Sequence, residues 1–220
     1  TLIQLAEREL EPPHDWRSLA RLNGIRQPGA IPVGQIILVP AAWRKPYLMK
    51  ATVVSVEGPV KSGSSDLKAG ASLSENDSIQ TGANAVVVVK LPDGTLVRIP
   101  PASQVRIDRL RGYHGSDAIN ARINLDQGGV EVQSESSRLG RSPVTGREVQ
   151  IITPKATASV RGTSFRIGSK ADGAQAEVLD GAVQWSARSE GRTLNGGLGA
   201  VVDAQGRLGK SESLLPKPAA

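Results

Sequence analysis

Several stretches of this chain carry residue types that can do chemistry. Residues 204–211, AQGRLGKS, fit the pattern of a small residue, four spacers and Gly-Lys-Ser that grips phosphate. Such a loop works between a strand and a helix whose N-terminal amides face the phosphates. Pro216 and Pro218 follow closely and leave no room for that helix, so the match is read as chance. Residues 196–200, GGLGA, lie in a strand-rich region with no helix after them and read as a turn, not a dinucleotide loop. In GYHGSD, His114 neighbours Ser116 and Asp117, but a nucleophilic triad is made by folding and not by adjacency in the chain. His14 and His114 are far apart, and no carboxylates stand at ligand spacing. The residues therefore point to no catalytic centre, no metal and no cofactor, and a non-enzymatic protein is expected. A last stretch, TPKATASVRGTSFRI at 153–167, sets small residues ahead of Val160, Arg161, Gly162 and Phe165. A strand follows its glycine, so it reads as a tight backbone crossing in which Ala156, Ala158 and Ser159 permit close approach. Val160, Phe165 and Ile167 then enter the core, and Arg161 pairs with a carboxylate or with carbonyls.

Composition limits the rest. The chain of 220 residues has no cysteine, few aromatics, 24 glycines and 14 prolines. That profile suits a turn-rich β protein, and the missing thiols suit a periplasmic or other extracytoplasmic setting. No apolar run approaches the ~20 residues that span a bilayer. The chain opens on TLIQLAEREL, which reads as the middle of an element, so a cleaved leader is expected upstream. The net charge of +6 is spread along the chain with few aromatics interleaved. This reads as a solvated basic surface with no nucleic-acid partner. Arg138, Arg141, Arg147, Arg161 and Arg166 are the set that would otherwise mark a partner surface.

Two regimes of periodicity divide the chain. In residues 1–40 the apolar positions Leu2, Ile3, Leu5, Ala6 and Leu10 recur at a helical period until Pro12 and Pro13 end the element. DWRSLARLNGI reads as a second helix, capped by Asp15 and closed at Gly24, and QIILVP as a short strand. Residues 41–50 read as a linker, in which Trp43, Tyr47 and Leu48 are able to dock the small module. From 51 to 208, short β-branched segments alternate at period two between Gly, Asp, Asn, Ser and Pro turns, with Asp93-Gly94 a strong hairpin signal. The motif apolar–x–x–Gly–x–Val recurs at Gly58, Gly129 and Gly181. Such repetition suggests a β-roll or sandwich of strand–Gly–strand units, with a short β-solenoid as the alternative. Residues 209–220 read as a flexible tail.

Two resemblances follow. The pattern TL..LAEREL, W..LARLNGI and IPVGQIILVP resembles the LysM carbohydrate-binding module without its first strand. That likeness implies binding of peptidoglycan or a related N-acetyl glycan, with Thr1, Leu2, Asn23, Gly24, Ile25 and Ile31 at the family's groove positions. The competing reading makes Asn23 and Gly24 a helix cap and Ile31 core. The pattern V.GPV, LK.G..L, D.I.TG.NA and DGT..RI, with TP.A.ASVRGT.F.I and EVL.G.V, resembles the FecR domain family over roughly 50 to 207. This likeness implies a periplasmic interaction scaffold that contacts an envelope protein or glycan. The alternative is a receptor domain of iron-siderophore sigma-regulator signalling, whose cytoplasmic sigma-binding region and membrane helix this sequence lacks.

Overall fold

The computed structural model describes residues 1–40, 43–114, 116–134, 148–160 and 162–213. Arg138, Arg141, Arg147 and Arg161 lie outside the described residues, and so do the side chains of Ser116 and Asp117. The protein is mainly β, with a small helical unit at its N-terminus.

Helices α1 (Leu2–Glu9) and α2 (Trp16–Leu22) form that unit. Thr1 and Gln4 close a reciprocal capping box on α1, and Asp15 Oδ1 accepts from the Ser18 amide at 2.9 Å on α2. Each cap satisfies amides that the first helical turn leaves without a partner. Leu2, Ala6, Leu10, Leu19 and Ala20 are buried between the helices, flanked by Trp16, Ile25, Ile31, Ile37, Val39 and Trp43.

The expected closing strand in QIILVP is absent: residues 35–40 are not part of a ladder. Among the described residues no strand exchanges hydrogen bonds with them. Instead the Asn23 amide takes the place of a neighbouring peptide. Its Nδ2 donates to the Leu38 carbonyl at 2.9 Å, and its Oδ1 accepts from the Leu38 amide at 2.7 Å. Residues 43–48 are likewise more than a linker. Strand β1 (Pro46–Leu48) pairs with β9 (Gln104–Tyr113), while Trp43 stacks on His14 with ring centroids 4.4 Å apart.

The β region runs on through β2 (Ala51–Glu57), β3 (Val60–Ser62), β4 (Ser65–Asp66), β5 (Ser72–Leu73), β6 (Ser78–Thr81), β7 (Val86–Lys90) and β8 (Leu96–Ile99) to β9. After β9 come β10 (Ser116–Gln133), β11 (Glu148–Ile152), β12 (Thr157–Val160), β13 (Ser164–Lys170) and β14 (Gly173–Asp180). The last are β15 (Ala182–Ala187), β16 (Glu190–Asn195), β17 (Leu198–Asp203) and β18 (Glu212–Ser213). Because β18 pairs with β17, the β region extends past 208 into the expected tail.

These strands form two curled sheets that share β10. The first sheet runs β4, β3, β6, β9, the first part of β10, β11, β12, β15 and β16. The second runs β5, β2, β7, β8, the last part of β10, β13, β14, β17 and β18. Among these ladders β10–β11 is parallel and the others are antiparallel. Alternation puts Val87, Val89, Val97, Ile99, Val130, Val132, Phe165 and Ile167 inside from the second sheet, facing Val105, Ile107, Ile123, Ile151 and Trp185 of the first. The apolar side chains of both sheets merge into one continuous cluster, which supplies the main driving force for folding.

The repeated glycines mark places where the chain passes from one sheet to the other. Gly58 lies between β2 and β3, and Gly181 lies between β14 and β15. Gly128 and Gly129 lie where β10 leaves the first sheet for the second. Read as a sequence, 128–129 ends one segment and starts another. In the structure β10 continues through it. Gly128 sits at φ 89°, a backbone conformation that side chains with a Cβ disfavour.

Candidate interaction surface

The stretch 153–167 is one of these passages. Thr153 opens it, its Oγ1 accepting from the Ala156 amide at 2.9 Å. Strand β12 then lies in the first sheet, Gly162 turns the chain at φ 66°, and β13 enters the second sheet. Val160, Phe165 and Ile167 are buried, with Phe165 1% exposed. Ser159 sits opposite Gln150, whose Nε2 donates to the Ser159 Oγ at 3.3 Å. The remaining loop readings also resolve into backbone architecture. In AQGRLGKS the Asp203 carboxylate accepts from the amides of Gln205 and Arg207, both at 2.9 Å, and the next described element is the strand β18.

The residues expected at the glycan groove serve mostly structural roles. Thr1 caps α1, and Leu2 is fully buried, so its side chain belongs to the core and not to a groove wall. Asn23 spends its amide on the Leu19 and Leu38 backbone, Gly24 is exposed at φ 64°, and Ile25 and Ile31 flank the helical core. The same unit exposes Val33, Ile36 and Leu38, of which Leu38 is held by Asn23. Neither histidine approaches a metal site: His114 lies against Tyr47, ring centroids 4.8 Å apart. Among the described residues no group of three or more metal-ligating side chains gathers.

One partly buried carboxylate ties the β5–β6 turn to β9. Glu75 Oε1 accepts from the Leu110 amide and from Arg111 Nε, each at 2.9 Å. Leu110 and Arg111 lie on the part of β9 that receives β1, and the Arg44 guanidinium of the same connection donates to the His114 carbonyl. The Arg111 guanidinium, helped by the Leu110 amide, holds the Glu75 carboxyl below its usual range against the opposing effect of partial burial. A depressed carboxylate stabilises the fold above its ordinary titration range and loses that contribution as pH falls through the lowered value. Glu75→Gln is therefore expected to cost about 1–3 kcal/mol at neutral pH. Urea unfolding at neutral and acidic pH checks this: the gap between variant and wild type should narrow in acid, and a pH-independent gap contradicts it.

The most organised polar array lies on the outward face of the second sheet. Four strands carry a charged residue between two inward apolar ones: Val97-Arg98-Ile99, Val130-Glu131-Val132, Phe165-Arg166-Ile167 and Ala176-Glu177-Val178. Register aligns the charges in one row, Arg98 opposite Glu131, Glu131 opposite Arg166, and Arg166 opposite Glu177. The ion-pair separations along the row are 3.3, 3.9 and 3.7 Å. These side chains are about a third exposed, where an ion pair contributes only ~0–1 kcal/mol, so folding alone gains little from the row. Arg98, Glu131 and Arg166 of the row line an open groove of about 350 Å³ together with Val88, Leu96, Gln133, Ser164 and Leu179. Arg166 is the one member of this array among the basic residues singled out from the sequence. Glu131, Glu177 and Leu179 were legible only as the outward positions of alternating strands.

These strands lie within 77–184, which match the protein-family model described as FecR protein. This chain carries a FecR domain. The FecR match spans β6 through part of β15 and excludes the helical unit. Two crystal structures of a candidate anti-sigma factor from Parabacteroides distasonis align with the chain at 18% identity and a TM-score of 0.49. Each alignment covers 62% of this chain and 59% of that one, less than two thirds of its length. No curated protein matches. Among the described residues no helix is long and apolar enough to cross a membrane.

Proposed function

We propose that this protein is an extracytoplasmic regulatory component that works through binding, not catalysis, in signalling of the sigma-regulator type. The FecR match over 77–184 carries this reading. Localisation and transcription test it together. A phosphatase reporter joined to the full-length gene product should be active outside the cytoplasm, and deleting the gene should change transcription from a narrow group of promoters. A reporter active only inside the cell, or an unchanged transcriptome under every envelope condition tried, rejects the reading.

A second reading concerns the helical unit, and the exposed Val33, Ile36 and Leu38 in the segment that Asn23 clamps at Leu38 support it. Apolar side chains next to backbone amides suit the methyl and amide groups of N-acetyl sugars. Under this reading the unit tethers the protein to peptidoglycan. Co-sedimentation of the full-length protein with purified peptidoglycan is expected, and Ile36→Asp should weaken it. Retention of binding by that variant, or no binding by the wild type, removes the role assigned to this surface.

A further inference from the structure

The charged row has a symmetry that names its own partner. Along the sheet its signs run plus, minus, plus, minus across β8, β10, β13 and β14. Reversing the row exchanges every sign. A second copy turned about a two-fold axis parallel to the strands, midway between β10 and β13, would therefore set each charge against its opposite. Arg98 faces the partner's Glu177, and Glu131 faces the partner's Arg166.

The rows on either side obey the same operation. Leu96 lies on β8 beside Gln133, while Leu179 lies on β14 next to the irregular pairing at Ser164. The rotation puts Leu96 on the partner's Leu179 and Gln133 on the partner's Ser164. Gly129 and Gly168 are directly opposite each other and exchange places across the axis, with Pro100 lying over Gly129 and Gln175 over Gly168. Val88 on β7 meets the partner's Gly199 on β17, and Val86 meets the partner's exposed Val201. At these positions apolar groups land on apolar groups or on glycine and charges land on opposite charges, while Pro100, beside Gly129, lands on the partner's Gln175. A twisted sheet is a saddle, and rotation about a strand-parallel axis maps a saddle onto itself, so twist does not force the two faces apart.

We propose that the outward face of the second sheet is an isologous self-association surface, whose occupant is a second copy of this chain. Its extent sets the strength. Strands β7 to β17 cover roughly 24 Å by 20 Å at ordinary strand spacing and rise, about 500 Å² per copy. Near 1,000 Å² in total, the contact falls below the standard interface size, so a weak dimer that depends on concentration is expected.

Sedimentation equilibrium of the full chain over a wide concentration range tests this. The wild type should dimerise in low salt and dissociate in high salt, because exposed ion pairs are screened. Arg98→Glu alone and Glu177→Arg alone each reverse two symmetric contacts and should weaken association about tenfold or more. An equimolar mixture of the two variants should recover it, since Glu at 98 of one chain then meets Arg at 177 of the other. Lys61→Glu, exposed on the other sheet, should change nothing. Circular dichroism confirms that each variant is folded. A wild type that stays monomeric at every concentration in low salt overturns the proposal without recourse to any variant. Variants that associate like the wild type overturn it too, and so does a mixture that stays monomeric.

Discussion

Phe165→Ala is expected to lower the free energy of unfolding by about 3–5 kcal/mol. Phe165 is the only phenylalanine of the chain and is 1% exposed. It stands opposite Val132 on one side and Val178 on the other, at the point where β13 joins the shared strand to the outer half of the second sheet. Both neighbours are held in ladders, so the space left by the ring cannot collapse easily, and a cavity term adds to the lost transfer free energy. A loss of this size is a large share of the ~5–15 kcal/mol that natural domains command. Urea unfolding measures it directly, and a change below about 1 kcal/mol is incompatible with a filled, rigid core at this position.

Gly128→Ala should cost about 2–5 kcal/mol, combining left-handed backbone strain of ~1–2 with overpacking of ~1–3. A Cβ there would lie 2.5 Å from Ser103 Cα and 2.7 Å from the Ala102 carbonyl. Ser103 is itself fixed: its amide donates to Thr81 Oγ1 at 2.9 Å and its Oγ accepts from the Gly129 amide at 3.0 Å. Gly63 supplies the comparison, because it also has positive φ, 59°, but nothing lies within 4 Å of an added Cβ. Gly63→Ala should show the backbone strain alone. Equal losses for the two variants, measured by thermal or urea unfolding, would contradict the close crossing of β10 over the 102–103 turn.

Much of the secondary structure was legible because it is set by local periodicity. The two helices announce themselves through their caps and apolar stripes. Segments such as LVRI and SFRIG read as strands because charged and apolar residues alternate. The hairpin at Asp93-Gly94 follows from turn chemistry: Asp93 Oδ1 accepts from the Thr95 amide at 3.0 Å and Gly94 takes φ 87°. Residues 116–127 carry a weak strand signal, since Ala and Asn dilute their pattern and the following Gly-Gly pair looks like an end. QIILVP failed in the opposite direction. Its composition favours a strand, but a strand needs a neighbour, and here the neighbour is one asparagine side chain.

The candidate surface shows the same division. Each charge of the row stands between two apolar residues in its own strand, so its outward direction was fixed locally by the pleat. Neither the pairing of Arg98 with Glu131 nor that of Arg166 with Glu177 was decided there. They meet because β9, β11 and β12 peel away into the first sheet, which leaves β8, β10, β13 and β14 adjacent in the second. By itself the sequence determined a mainly β chain with a helical start, the strands' inward and outward faces, and the FecR signature, because these rest on neighbours a few residues apart. Only the tertiary structure decided which strands became neighbours, and hence that four separate charges form one row, because that pairing depends on where glycine corners send the chain from one sheet to the other.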